Sequence, residues 1–296
     1  MRRTVDVAKS SRAEAAAKAA RMREEAARKD RQRRQVIAAV IAVVAVIGAV
    51  VIGVVVANRP PSTPAAGGST GSTASADAAL AKLVALPQAT LDASAAPNTA
   101  QAPTKLQGST ALTQDGKPKV LYVGAEYCPF CAMERWPLIA ALSKFGTFSG
   151  LKPTTSASDD VHPDTPTWTF ADATYSSDVL AFEAVETADR EKKPLQPLEG
   201  ENAALFQKFN PGGGIPWITY GGTHATDGAT VDANVLDGLS YDQIISGIED
   251  PSSDVGKTVN PAVNMITAQL CELTGGKPTN VCTSQAVMAA SVLLKR

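Results

Sequence analysis

Cysteine is scarce, with four residues in a chain of 296. That excludes a miniature scaffold held together mainly by disulfides, and the four do not fall at the paired spacing of a zinc ribbon. Histidine occurs twice, as His162 and His224, isolated from each other and from any ligand pattern, so no metal is expected. No glycine-rich loop stands between a strand and a helix with a phosphate-binding lysine, and no cofactor is expected either. Aromatic residues are only 5% of the chain, yet 44% hydrophobic residues suffice for a core and exclude a wholly disordered polymer. The near absence of net charge (−1) hides a division: residues 1–35 carry 12 Lys/Arg against 5 Asp/Glu, and the remainder 16 against 24. An acidic body repels phosphates, so it is not expected to bind nucleic acid.

What is present begins with a run of 22 uncharged residues over 36–57, without proline and with only Gly48 and Gly53 as weak helix formers. As a helix it would be about 33 Å long, enough to cross a hydrocarbon core of about 30 Å. Arg28, Lys29, Arg31, Arg33 and Arg34 precede it and only Arg59 follows closely, a bias that places the N-terminus in the cytoplasm. A cleaved secretory signal is the competing reading, but its apolar stretch is normally shorter and starts earlier. The expectation is a single-pass anchor in the cell membrane, with the lipid bilayer as a partner and everything after it extracytoplasmic. Residues 1–35 read as a basic cytoplasmic helix at the headgroups. Residues 58–104, rich in Pro, Gly, Ser, Thr and Ala, read as a flexible linker with a short helix possible over 77–86.

The chemistry lies farther on. Residues 119–125 form a short β-branched and aromatic run, as in a buried strand, followed by Cys128-Pro-Phe-Cys131 and by apolar residues at helical spacing through Phe145. A cysteine at a helix start meets unpaired N–H groups and the positive dipole end, which favour the nucleophilic thiolate. Cys128 is therefore the expected attacking thiol. Cys131, one turn on and more buried, would resolve the mixed disulfide. Pro129 suits the first turn, where its missing N–H costs nothing. Glu126 and Glu134 flank the motif as solvated charges or helix-start stabilisers, or alternatively as proton acceptors for Cys131. Trp136, Pro137 and Trp217 read as packing around the site. Farther along, Ile215-Pro216 leads into the apolar run 217–220, a place for a cis bond that exposes backbone to an extended peptide.

Together these features resemble the thioredoxin fold, an α/β architecture. The resemblance implies that Pro216 lies beside Cys128 and that Ile215 presents its backbone to substrate. Phe130 takes the position where Dsb-type enzymes have a histidine, so their extreme oxidising power is not implied. Pro216 lies 85 positions after Cys131, roughly double the minimal spacing, which calls for an insertion between the Cys-x-x-Cys helix and the cis-Pro strand. Residues 151–156 are read as the second strand, 202–209 as the next helix and about 158–198 as the insertion. Within it 167–170 looks extended, and 179–187 fits strand or helix equally. More closely, the run from Tyr122 to Pro137, with 141–146 and the Gly-Gly-Ile-Pro216 step, resembles the thioredoxin-like domain of unknown function 929 family of bacterial and archaeal membrane proteins. The resemblance covers about residues 105–282.

Cys271 and Cys282 flank a turn-rich connection between apolar helical patterns at 259–270 and 284–294. A structural disulfide stapling a helical hairpin is the expected pairing, and a second redox relay is the alternative. The expected organisation is a thioredoxin-like domain over 105–250 and a C-terminal helical hairpin over 251–296. The expected activity is thiol–disulfide exchange on protein thiols and disulfides, in concert with a redox partner. The alternatives are a non-catalytic binding or scaffold module with a structural Cys128–Cys131 bond and metal delivery by the pair, for which spacing fixes no further soft ligand.

Overall fold

The computed structural model describes residues 69–97 and 101–294. The apolar run 36–57 and the basic segment before it lie outside the described residues, and among those described no helix is long and apolar enough to cross a membrane.

A twisted sheet organises the chain. Its centre is β3 (Lys117–Gly124), buried from Lys119 onward on both faces, as an interior strand must be. Strand β8 (Ala181–Glu186) runs parallel to it on one side, from Lys119↔Ala181 to Gly124↔Glu186. On the other side β9 (Trp217–Tyr220) runs antiparallel, with Val120 opposite Tyr220 and Val123 opposite Trp217. Beyond it follow β10 (His224–Asp227) and the edge strand β1 (Thr104–Lys105). Strand β2 (Thr113–Gln114) joins β3 through an Asp115-Gly116 turn whose residues both have positive φ, 51° and 74°, the sequence such a hairpin turn favours.

Alternation along the strands gives the sheet two apolar faces. Leu121, Val123 and Trp217 pack toward α4 (Gly200–Phe209), where the Phe206 ring meets Trp217 edge-on at 5.5 Å. Val120, Tyr122, Ile218 and Tyr220 belong to the larger core with α3 (Pro129–Leu142) and the 20-residue α7 (Asp254–Leu273). This face also holds α6 (Tyr241–Glu249) and α9 (Gln285–Leu294), with the single turns α5 (Ala233–Leu236) and α8 (Thr279–Cys282).

Three expectations change. The strand parallel to β3 is β8, whereas Lys152–Thr155 (β5) pairs with Pro166–Thr169 (β6) in a separate ribbon. Apolar content explains the difference: 181–186 brings Phe182, Ala184 and Val185 to the cores on the two faces of β3, whereas Lys152–Thr155 has only Pro153 among polar residues. The segment expected as insertion therefore supplies β8 itself, and the added structure is the β5–β6 ribbon plus a second one of β4 (Thr147–Ser149) and β7 (Thr174–Ser176). It is firmly packed, since Trp168 meets Trp136 of α3 with ring centroids 4.6 Å apart, and Tyr241 donates to the Thr154 carbonyl at 2.7 Å. Secondly, folded structure begins well before Lys105. Helices α1 (Ser69–Val84) and α2 (Gln88–Asp92) occupy what reads as linker, and Ala76, Ala79, Leu83, Leu86 and Leu91 are buried in the core. Ala and Leu at helical spacing outweigh the polar, proline-bearing composition around them. Thirdly, the helical hairpin expected over 251–296 forms, with α9 packed on α7, but it is not a separate unit: α7 also packs against α3 and β9, so its buried residues complete the main core.

Candidate functional site

Strand β3 ends at Gly124, which has no room for a side chain because a Cβ would run into the Tyr122 hydroxyl. The chain then turns through 125–127 and Cys128 becomes the N-cap of α3, with Pro129 in the first turn. Capping positions the sulfur directly: Cys131 N–H donates to Cys128 Sγ at 3.3 Å. Both cysteines are free thiols, Cys128 only 5% exposed and Cys131 fully buried.

Their environments drive the two thiols apart. The hydrogen bond from the Cys131 side chain holds the Cys128 thiol below its usual value, with further help from the Cys131 N–H and the Arg135 charge, against burial. Burial pushes Cys131 well up, and its hydrogen bond to Cys128 and the negative charge of the Cys128 thiolate push it further. One thiol is thus disposed to attack and the other to wait.

The Ile215–Pro216 peptide is cis and delivers the Ile215 carbonyl to 3.8 Å from Cys128 Sγ. Asn210 shapes this approach, its side chain donating to Gly214 O at 2.7 Å and accepting from Gly214 N–H at 3.2 Å. Ile215 and Pro216 are thus brought to Cys128, 87 positions away in sequence. Cys271 and Cys282 are bonded to each other at the end of α7.

The loops after β5 and after β8 rim the site. Glu126 N–H donates to Ala188 O and Ala157 N–H to Tyr127 O, both at 2.9 Å. Arg190 ties the two loops by donating to Ser156 O at 3.0 Å and pairing with Asp164, and Lys192 pairs with Asp159 at 2.8 Å. Phe130 is 38% exposed beside the thiols, with the His162 ring edge-on at 5.7 Å. His162 Nδ1 is 3.4 Å from an Asp237 carboxylate oxygen, and His224, the first residue of β10, bonds the Thr223 hydroxyl before it. Among the described residues no group of three or more His, Cys, Asp or Glu could hold a metal ion.

Glu134 departs from expectation. It is neither solvated nor bonded to Cys131 but fully buried, its Oε2 accepting from Thr230 N–H at 2.7 Å and Thr230 Oγ1 at 2.8 Å. Sequence reasoning also passed over the ionic pair behind the thiols. Arg135 and Glu186 are both fully buried, with Nε to Oε1 at 3.0 Å and Nη2 to Oε2 at 2.7 Å. The available signal was spacing, because Arg135 follows Cys131 by four residues on one helix face.

The fold and the dithiol define an α/β domain with two unequal thiols at a helix start, facing a cis-proline loop. Residues 104–212, from β1 through α4 and the loop after it, match the model of the family described as Domain of unknown function (DUF929), the family the motif resembles. No curated protein and no solved structure matches the chain.

Proposed function

We propose that the domain is thioredoxin-like and that the chain is a membrane-anchored, extracytoplasmic thiol–disulfide oxidoreductase acting on proteins. The observation that carries this reading is the inequality of the two thiols: Cys128 caps the helix and accepts the Cys131 N–H, with the Ile215 carbonyl beside it. The order β3, α3, β8, α4, β9, β10, with Cys128 after the central strand and cis-Pro216 before the antiparallel one, supports the fold assignment. The 22-residue run at 36–57 and its basic flank support the placement.

In the proposed reaction the Cys128 thiolate attacks one sulfur of a substrate disulfide. A mixed disulfide forms and the other substrate sulfur leaves as a thiolate that takes up a proton. Cys131 then gives up its proton and attacks Cys128 Sγ, forming the Cys128–Cys131 bond and releasing the second substrate thiol. The substrate gains two electrons and two protons; the protein loses two electrons and the Cys131 proton, and the second proton comes from the solvent that took it up when Cys128 ionised. Run in reverse, the protein disulfide oxidises a substrate dithiol.

The test measures reduction of a disulfide-bonded protein by the purified full chain and by its Cys128→Ser variant, alongside labelling of Cys128 in intact cells with a membrane-impermeant maleimide. The expected result is exchange by the parent, loss to background in a folded variant, and labelling from outside. A parent without exchange would favour the binding module, and labelling only after lysis would overturn the placement.

A further inference from the structure

The Arg135–Glu186 pair is the one fully buried ion pair among the described residues, and it sits where the two cysteines, β3 and β8 converge. Arg135 lies one helical turn beyond Cys131, on the same side of α3. Its Nη2 donates to Ala125 O at 2.9 Å, the carbonyl that also accepts Cys128 N–H at 3.3 Å. One nitrogen thus grips the turn that carries the nucleophile. Glu186, the last residue of β8, fixes the guanidinium through two bonds and itself accepts from Phe170 N–H at 3.3 Å. Tyr122 lies beneath, its ring centroid 5.7 Å from Arg135 Cζ. Arg135 Nη1 is buried with no hydrogen-bond partner, so Glu186 does not use up all the donors of the cation.

A hydrophobic interior has little use for such a pair, since apolar residues of equal volume often stabilise a fold as well or better. A guanidinium also cannot take up or release a proton in this role, so it acts only through its permanent charge and its grip on Ala125. We infer that Arg135, held by Glu186, is a positioning residue that keeps a fixed positive charge beside the Cys128–Cys131 pair and biases it toward the reduced, thiolate-bearing state. The functional consequence rests on the exchange reading above. Stabilising the reduced form makes the disulfide a stronger oxidant. The charge therefore supplies some of the oxidising tendency that Phe130, without a hydrogen bond to offer, does not. Besides Arg135 and Glu186, the ionisable groups near the thiols include Tyr122, Tyr127 and Glu126 in the turn before the nucleophile, with Asp160 and Lys192 acting on Tyr127.

The experiment uses the full chain in detergent, with two readouts. One is the pH dependence of iodoacetamide alkylation at Cys128, read by peptide mass spectrometry. The other is the equilibrium of the Cys128–Cys131 pair with glutathione, in which protein dithiol plus oxidised glutathione gives protein disulfide plus two reduced glutathiones. The neutral double variant Arg135→Met/Glu186→Gln should move the alkylation midpoint up and shift the equilibrium toward the protein disulfide by three- to tenfold; tenfold equals about 30 mV for this two-electron couple. Glu186→Gln, which unmasks the cation, should move both readouts the opposite way. Both folded variants within twofold of the parent would overturn the proposal. If the double variant does not fold, Glu186→Gln decides alone. A parent that fails to reduce a protein disulfide would defeat the exchange reading while leaving this alkylation comparison intact.

Discussion

At the scale of single residues, Glu134 is the carboxyl that resists its surroundings most. Burial pushes it up to about 7 from the usual 4.5, and the two bonds from Thr230 only partly offset that. A carboxyl whose value is higher folded than unfolded favours the native state most where it is protonated in both. Its contribution is therefore complete below pH about 4.5 and is lost as pH rises to about 7. Charging it inside the protein costs up to about 3 kcal/mol on that basis. Glu134→Gln should be more stable than the parent at pH 8, by up to about that amount, and no more stable at pH 4, as read by urea denaturation at both values. An equal gain at both would mean that the charge is not what costs stability. The Cys-x-x-Cys and the Ile-Pro step were legible because each encodes its local geometry: a helix start and a strand beginning. Glu134 and Arg135 were not, because their meaning depends on Thr230 and Glu186, which the fold brings from 96 and 51 positions away.

At the scale of elements, α1 and α2 are the clearest case of packing overriding composition. Leu83 and Leu91 are fully buried, Lys144 Nζ reaches Leu86 O at 3.2 Å, and Asn264 donates to Leu91 O at 3.0 Å. Truncating either leucine to alanine should cost about 2–5 kcal/mol, the usual range for a filled core site. A fragment starting at Lys105 loses both helices and uncovers α3, α6 and α7. Compared with a fragment from Gly67, it should lose its cooperative thermal transition and become sensitive to protease at room temperature. A transition within a few degrees of the longer fragment would make α1 and α2 peripheral. The same override explains the second strand. Residues 179–187 fit either period, since a short apolar run is not decided by periodicity alone, and only pairing with β3 over six residues makes 181–186 a strand. By contrast, β3, α3 and α7 were legible from pattern, because each carries enough apolar residues on a consistent period to announce itself.

At the scale of the whole molecule, two cysteine pairs share one chain in opposite states, and their surroundings explain the difference. Cys271 is buried at the end of α7, with Gly276 N–H donating to its carbonyl at 2.8 Å, and its partner Cys282 ends the next helical turn. Neither sits at the start of a helix, where a thiolate would be favoured, so a stable cross-link fits better there than a carrier. Persistence of that bond requires an oxidising compartment, in keeping with the proposed extracytoplasmic placement. Closing a loop across 11 positions is worth about 2–3 kcal/mol on the loop-closure account. In a domain of this size that corresponds to roughly 5–10 °C in melting temperature. Cys271→Ser/Cys282→Ser should therefore melt lower by about that much while exchanging disulfides within about twofold of the parent rate at 25 °C. A relay predicts the reverse: a small change in melting and a loss of turnover with protein substrates, while alkylation of Cys128 proceeds as before. Comparing melting, turnover and Cys128 alkylation in the one double variant separates a staple from an electron path, because only the path makes the second pair change state in every cycle.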